Sequence, residues 1–235
     1  LEGNISSFEG EKNSKWFYKK LLQVVYLPKN NHTYSNMDIS KKIQELSDAL
    51  QALQSNQVLI DTIEDVIRAA AGVFHRQGRL LLCGNGGSAA DAQHIAAELS
   101  GRFKIDRQAL DAEALHVNTS YLTAVANDYG FDIVYERLVQ AKGREGDMLI
   151  ALSTSGNSQN IINAIHAARE KNMIIVGMTG QNGGKMKDIC DFLLNVPSDD
   201  TPLIQEMHIL IGHILCEHIE ILCSSNTNEE YNETE

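Results

Sequence analysis

Apolar positions along this chain follow two patterns whose alternation predicts the architecture. From an Asp38-x-x-x-Lys42 opening, apolar residues recur at helical spacing: Ile43, Leu46, Leu50 and Leu53, then Val58, Ile63, Val66, Ile67, Ala70 and Phe74. This predicts two amphipathic helices that pack within the subunit or between subunits, with His75 a favourable charge near the second C-terminus. Further on, short runs that are apolar throughout predict buried strands: Leu80 to Cys83, Ala112 to Val117, Asp147 to Leu152, Met173 to Met178 and Phe192 to Val196. Helical stretches separate them: an alanine-rich segment after Gly87, residues 120–126 and 131–141 split by Asn127-Asp-Tyr-Gly130, a run through Ile161, Ile162, Ala164, Ile165 and Ala168, and a last helix from near Pro202 to about Cys223. Apolar strands alternating with helices predict an α/β fold whose parallel sheet is covered on both faces. Ligands of such sheets sit at the carboxyl ends of the strands, where two loops fall, 84–88 and 153–158.

The ends break the pattern. Residues 1–36 mix Gly, Asn, Ser and Lys with a Trp16-Phe17-Tyr18 cluster and Leu21 to Tyr26, until Pro28. They read as a poorly ordered or non-native leader, the other reading being a short extension packed on a neighbour; Met37 is a plausible natural start. The domain then spans 37–223, and the acidic tail 224–235 is expected to be disordered.

Composition narrows the function. At 235 residues and 43% apolar the chain has ample core. Its net charge of −11 argues against a nucleic-acid surface. No apolar run reaches the roughly 18–20 residues of a membrane span, and the N-terminus does not resemble a signal peptide. Cys83, Cys190, Cys216 and Cys223 form no C-x-x-C pair, which suits reduced thiols in a cytoplasmic protein. The Asn-x-Ser/Thr triplets at Asn4, Asn31 and Asn232 then carry no meaning.

The chemistry gathers on Leu80 to Arg102. Gly84, Gly86 and Gly87 make a turn that lets a ligand approach the backbone, and Ser88 is placed to cap the helix behind it. His94 and Glu98, four apart, share one face of that helix. Such a pair can share a metal or hold a carboxylate as general base; solvated side chains are the plain alternative. Gly84-x-Gly86-x-x-Ala89 superficially matches a dinucleotide fingerprint, but Leu115 to Thr119 offers no acidic residue for a ribose, and no Gly-Lys-Ser/Thr follows a glycine loop. Ser153-Thr-Ser-Gly-Asn-Ser158 is the stronger phosphate signal: hydroxyls and a helix start can hold a phosphomonoester without a cation. The last helix carries Gln205, His208, His213 and His218 among apolar residues, and these considerations alone do not choose among the histidines.

These residues resemble a known family. Cys83-Gly-Asn-Gly-Gly-Ser88, His94 with Glu98-Leu-Ser-Gly-Arg102, Asn127-Asp128, Ser153 to Ser158, Gly183-Gly-Lys-Met186 and Ile204-Gln-Glu-Met-His208 are similar, in order and spacing from about Asp38 to Glu220, to the phosphoheptose isomerases of the SIS (sugar isomerase) fold. The resemblance implies a three-layer α/β/α sandwich around about five parallel strands, with the N-terminal helical pair serving oligomerisation. It implies conversion of D-sedoheptulose 7-phosphate to D-glycero-D-manno-heptose 7-phosphate through an enediol, feeding heptose for lipopolysaccharide, capsule or another glycan. Asn85, Gly86, Gly87, Asn127, Asp128, Ser153, Thr154, Ser155, Ser158 and Gln205 would contact the sugar phosphate, with Ser88 and Arg102 as further candidates. Glu98 would be the base and His213 its acid/base partner. Zinc would be held by His94, Glu98, Gln205 and His213, in a homotetramer with sites between subunits. Gln205 and His213 are about 12 Å apart along a regular helix, far for two ligands of one ion. Arg107 to Ala112, where relatives often have proline, suggests no functional consequence. The other class of function is a non-catalytic SIS module that regulates replication initiation; such relatives lack the residues matching Glu98 and His213.

Overall fold

The computed structural model describes residues 38–225; the expectations for the leader and for most of the tail lie outside them. Compactness divides the chain between Gln44 and Glu45. Of the first unit, the described part is the opening of α1 (Ile39–Gln54), where the Lys41 N–H donates to Asp38 Oδ1 at 2.9 Å. The second unit holds the rest of α1 and then α2 (Gln57–His75), β1 (Leu80–Cys83), α3 (Gly87–Ser100), β2 (Ala112–Ala114) and α4 (Thr119–Tyr129). A 3-10 turn (Phe131–Ile133) leads to α5 (Val134–Lys142), β3 (Met148–Leu152), α6 (Gln159–Glu170) and β4 (Ile174–Thr179). A second 3-10 turn (Gly184–Asp188), β5 (Phe192–Asn195) and α7 (Thr201–Ser225) complete it.

All five strands are parallel, in the order β2-β1-β3-β4-β5. Alternate residues feed opposite faces, as strand geometry requires. Leu80, Leu82, Met148, Ile150 and Leu152 pack against α2, α3 and α7, whereas Leu81, Cys83, Leu149 and Ala151 pack against α4, α5 and α6. The expected three-layer α/β/α sandwich is therefore the architecture. From β1 the chain steps outward to β2, and β3, β4 and β5 follow on the other side. The order reverses between β1 and β3, where the crevice of an open sheet takes its ligand. The loops that flank this crevice are 84–86 and 153–158.

Two boundaries differ from the sequence pattern. β2 is shorter than expected because the chain turns after Leu115, which stays buried. α4 continues through Asn127 and Asp128 to Tyr129, ended by Gly130 at φ 94°. α7 is long and apolar enough to cross a membrane by length and composition, yet Ile204, Met207, Ile211, Leu215 and Ile219 are buried in the core and Glu220 is fully buried in an ion pair. It is a core helix.

Candidate active site

The glycine turn is built from three sides. Gly86 precedes α3 with φ 55°, a conformation open to glycine at little cost, and its carbonyl accepts the N–H groups of Ala89 and Ala90 at 3.1 and 3.2 Å. The helix thus begins ahead of Ser88. The cap position is held by Gly86 and not, as expected, by Ser88; Ser88 is 3% exposed within the first turn. The fully buried Tyr135 donates its hydroxyl hydrogen to the Gly84 carbonyl. Asn85 pairs with Asn160 of α6, each amide donating to the other's oxygen at 2.9 Å.

In the second loop, Ser153 Oγ lies 3.0 Å from Ser158 Oγ and 3.5 Å from Ser155 Oγ. Ser155 is exposed and Thr154 half-buried. Ser158 precedes α6 without a capping side-chain bond, so the first N–H groups of α6 remain for a ligand. Converging hydroxyls beside free helix-start amides suit a phosphate.

The chemical groups lie on a seam between α3 and α7. Gln205 meets Gly87, Gly212 meets Ile95, His213 meets His94, and Glu220 meets the backbone after α3. Numbers rise together, so the helices run parallel. A Cβ at Gly212 would stand 2.6 Å from Ile95 Cδ1; glycine there allows the close approach. His94 Nε2 lies 3.1 Å from Glu98 Oε1 and 3.5 Å from His213 Nε2. The rings of His94 and His213 meet edge to face at 5.0 Å, and Phe103 stacks on the other side of His213 at 5.6 Å. The meeting point is open, with the His94 side chain 47% exposed.

Among the described residues no group of three or more His, Cys, Asp and Glu side chains stands as a ready metal site; the three are joined pairwise through His94. By type, two imidazoles and a carboxylate are donors that zinc takes. Ligands about 2.0–2.2 Å from a tetrahedral zinc lie roughly 3.3–3.6 Å from one another, close to the two separations found. Gln205 stands apart from this trio. Its Nε2 lies 2.5 Å from where a Gly87 Cβ would be, and Gly87 precedes His94 by about 10 Å of helix. As oriented, it serves the glycine turn and would reach the trio only by leaving Gly87. Asn127 and Asp128 are exposed at the end of α4 and bonded to each other at 2.9 Å, and Arg102 is exposed beyond α3.

Several groups here were not singled out by their pattern. Asp91, one turn before His94, has a buried Oδ2 without a partner. Burial pushes its carboxyl up, with nearby His94 opposing. Its place three residues before a site histidine was the available signal. His116, after β2, is pushed down by burial, and its Nδ1 is also unpartnered. Asn160 and Phe103 act only through contacts between distant segments, which no local pattern displays.

Comparison with known proteins follows the same lines. The SIS domain family model matches residues 42–180. The phosphoheptose isomerase of Rhodospirillum rubrum is 56% identical over 163 residues, covering 67% of this chain and 87% of that one. The structure of a phosphoheptose isomerase from Neisseria gonorrhoeae superposes with a TM-score of 0.71 at 43% identity, covering 77% of this chain and 97% of the other. That from Francisella tularensis gives 0.74 at 35%, covering 77% and 95%.

Proposed function

This chain belongs to the SIS domain family and, within it, to the phosphoheptose isomerases, and from that premise we infer which of its groups do the work. The reaction is isomerisation of D-sedoheptulose 7-phosphate to the aldose D-glycero-D-manno-heptose 7-phosphate. A proton leaves C1 of the ketose and one arrives at C2, while a hydroxyl proton passes from O1 to O2, so no redox partner is needed. The hydroxyls of Ser153, Thr154, Ser155 and Ser158 and the start of α6 take the phosphate. Asn85, Gly86, Gly87 and Gln205 lie along the sugar chain, with Asn127, Asp128 and Arg102 as outer contacts. Glu98 takes the C1 proton and returns it at C2, and His213 moves the proton between the oxygens. The observation carrying this assignment is the chain of contacts from Glu98 to His94 and from His94 to His213, on the seam that also brings Gln205 to the glycine turn.

His94, Glu98 and His213 would hold zinc, with Gln205 as a fourth donor if it turned. Bound there, zinc supplies Lewis acidity that polarises the substrate carbonyl. One Glu98 oxygen would serve it and the other the proton. Four free cysteines suit a reducing cytoplasm, and an apolar groove along α7 suits a homotetramer whose open sites close against a second subunit. The non-catalytic alternative is not favoured, since the matched relatives are isomerases and Glu98 and His213 are both in place.

An aldose–ketose assay with sedoheptulose 7-phosphate tests these roles. Glu98→Gln should lose about 10²–10⁴ in kcat, and wild-type turnover in that variant would sink the base assignment. Chelation should abolish turnover and zinc should restore it. Undiminished activity after complete metal removal would make the ion incidental.

A further inference from the structure

The ring of two hydrogen bonds between Asn85 and Asn160 ties together the two loops that flank the crevice. Asn85 is on the β1–α3 turn and Asn160 in the first turn of α6, immediately behind the serine loop. Asn160 is 3% exposed. A buried amide must satisfy both a donor and an acceptor, and a facing amide does so in one two-bond ring. Aspartate could accept but not donate, and alanine would leave the Asn85 amide without either partner. Such a ring uses one N–H and one lone pair of Asn85, leaving the second N–H and the second lone pair for the crevice.

We propose that Asn160 is a positioning residue, which sets the Asn85 amide and the glycine turn at a fixed separation from the hydroxyl loop. The inference rests on the isomerase reading above, in which one loop holds the phosphate and the other lies along the reacting end of the sugar. The two ends of one substrate are then held by two loops whose spacing is not a property of either. The Tyr135 hydroxyl restrains the same turn from below at Gly84, so Asn160 supplies the lateral restraint toward β3. Its loss leaves the phosphate site intact and lets the turn drift. The effect belongs in kcat, where a small misplacement of reacting groups costs heavily, rather than in KM.

The test combines steady-state kinetics with amide hydrogen exchange on the full chain. In Asn160→Ala, kcat for sedoheptulose 7-phosphate should fall roughly 10- to 100-fold with KM within about twofold. Amides of the glycine turn and the α3 start should exchange about tenfold faster, while those of the central strands keep their protection. The variant Asn85→Ala/Asn160→Ala should turn over within about twofold of Asn85→Ala alone, because two groups acting as one unit are not additive. Multiplying losses in the double variant, unchanged kcat in Asn160→Ala, or a uniform rise of exchange across the sheet would each overturn the proposal. Should Asn160→Ala not fold, Asn160→Asp breaks one of the two bonds in a nearly isosteric side chain and is read by the same criteria. A wild-type chain inert toward sedoheptulose 7-phosphate would instead sink the isomerase reading, and exchange at the glycine turn would still decide whether Asn160 restrains it.

Discussion

His208, His213 and His218 stand five residues apart on one helix, and at about 100° per residue each is turned roughly 140° from the next. The same side chain therefore meets three surroundings. His208 is fully buried, with Nε2 3.2 Å from the Thr179 carbonyl. That contact makes Nε2 the protonated nitrogen, and burial pushes the imidazole down to about 4. His213 meets His94 and Phe103, and His218 lines the groove on the opposite side. The apolar spacing of α7 identified the helix but not the role of any histidine, because rotation acquires meaning only from partners remote in sequence. The His208 shift has a defined sign. Its folded value lies below the ordinary 6.5, so between about 4 and 6.5 the unfolded chain binds a proton that the folded chain refuses. The stability contributed by neutral His208 is full above about pH 6.5 and is lost as pH falls toward 4, by at most roughly 3 kcal/mol. His208→Gln should flatten the acid limb of stability measured by urea unfolding from pH 7 to 4. An unchanged slope would show that His208 does not titrate on folding.

The strap from Gly101 to Leu110 is the element least legible beforehand. Residues 107–112 suggested no consequence, yet Arg107 is a central contact of the strap. Its guanidinium donates to the carbonyls of Glu98, Leu99 and Gln108 at 2.9–3.1 Å and lies, poorly aligned for a hydrogen bond, 3.3 Å from Glu220 Oε2. Glu220 in turn accepts the N–H groups of Phe103, Lys104 and Ile105 at 3.2, 2.6 and 2.9 Å. One carboxylate on α7 thus folds the strap, and the strap carries Phe103 onto His213. The sheet could be read in advance because strands buried on both faces are apolar throughout. The strap could not, since its order comes from a buried ion pair more than a hundred residues apart in sequence. Glu220→Ala should destabilise the chain by about 3–5 kcal/mol, the range for removing one partner of a buried pair. Glu220→Gln should cost less, because an amide oxygen still accepts backbone N–H groups. Urea titration measures both, and a cost under about 1 kcal/mol for Glu220→Ala would mean that the strap folds without its clamp.

At the scale of the molecule, the parallel sheet and the two loops at the carboxyl ends of its strands followed from the apolar runs and their polar ends, whereas the strand order did not. The α3–α7 pairing that completes the chemistry came only from packing. What the single chain leaves open is equally informative. His94 is nearly half exposed at the centre of the proposed chemistry, and proton transfer between carbons benefits from exclusion of water. The same helix α7 presents a groove of about 610 Å³ with Leu53, Ile60, Ile63, Ile67, Ile214, Ile221 and Leu222. Ile221 and Leu222 are 43% and 39% exposed. A contiguous apolar lining of this kind marks an association surface more often than a surface left to water. Burying it between subunits would also fix α7, and α7 carries Gln205, His213 and Glu220. Assembly through this groove would link to the chemistry through one helix. Ile221→Asp places a charge in the groove without touching the α3–α7 seam, so the monomer should fold with unchanged helix content by circular dichroism. Its sedimentation coefficient should fall at micromolar concentration, and isomerase activity should fall with it and recover as protein concentration is raised. A variant that sediments like the wild type would remove the groove from the assembly, and a dissociated variant with full activity would show that each chain completes its own site.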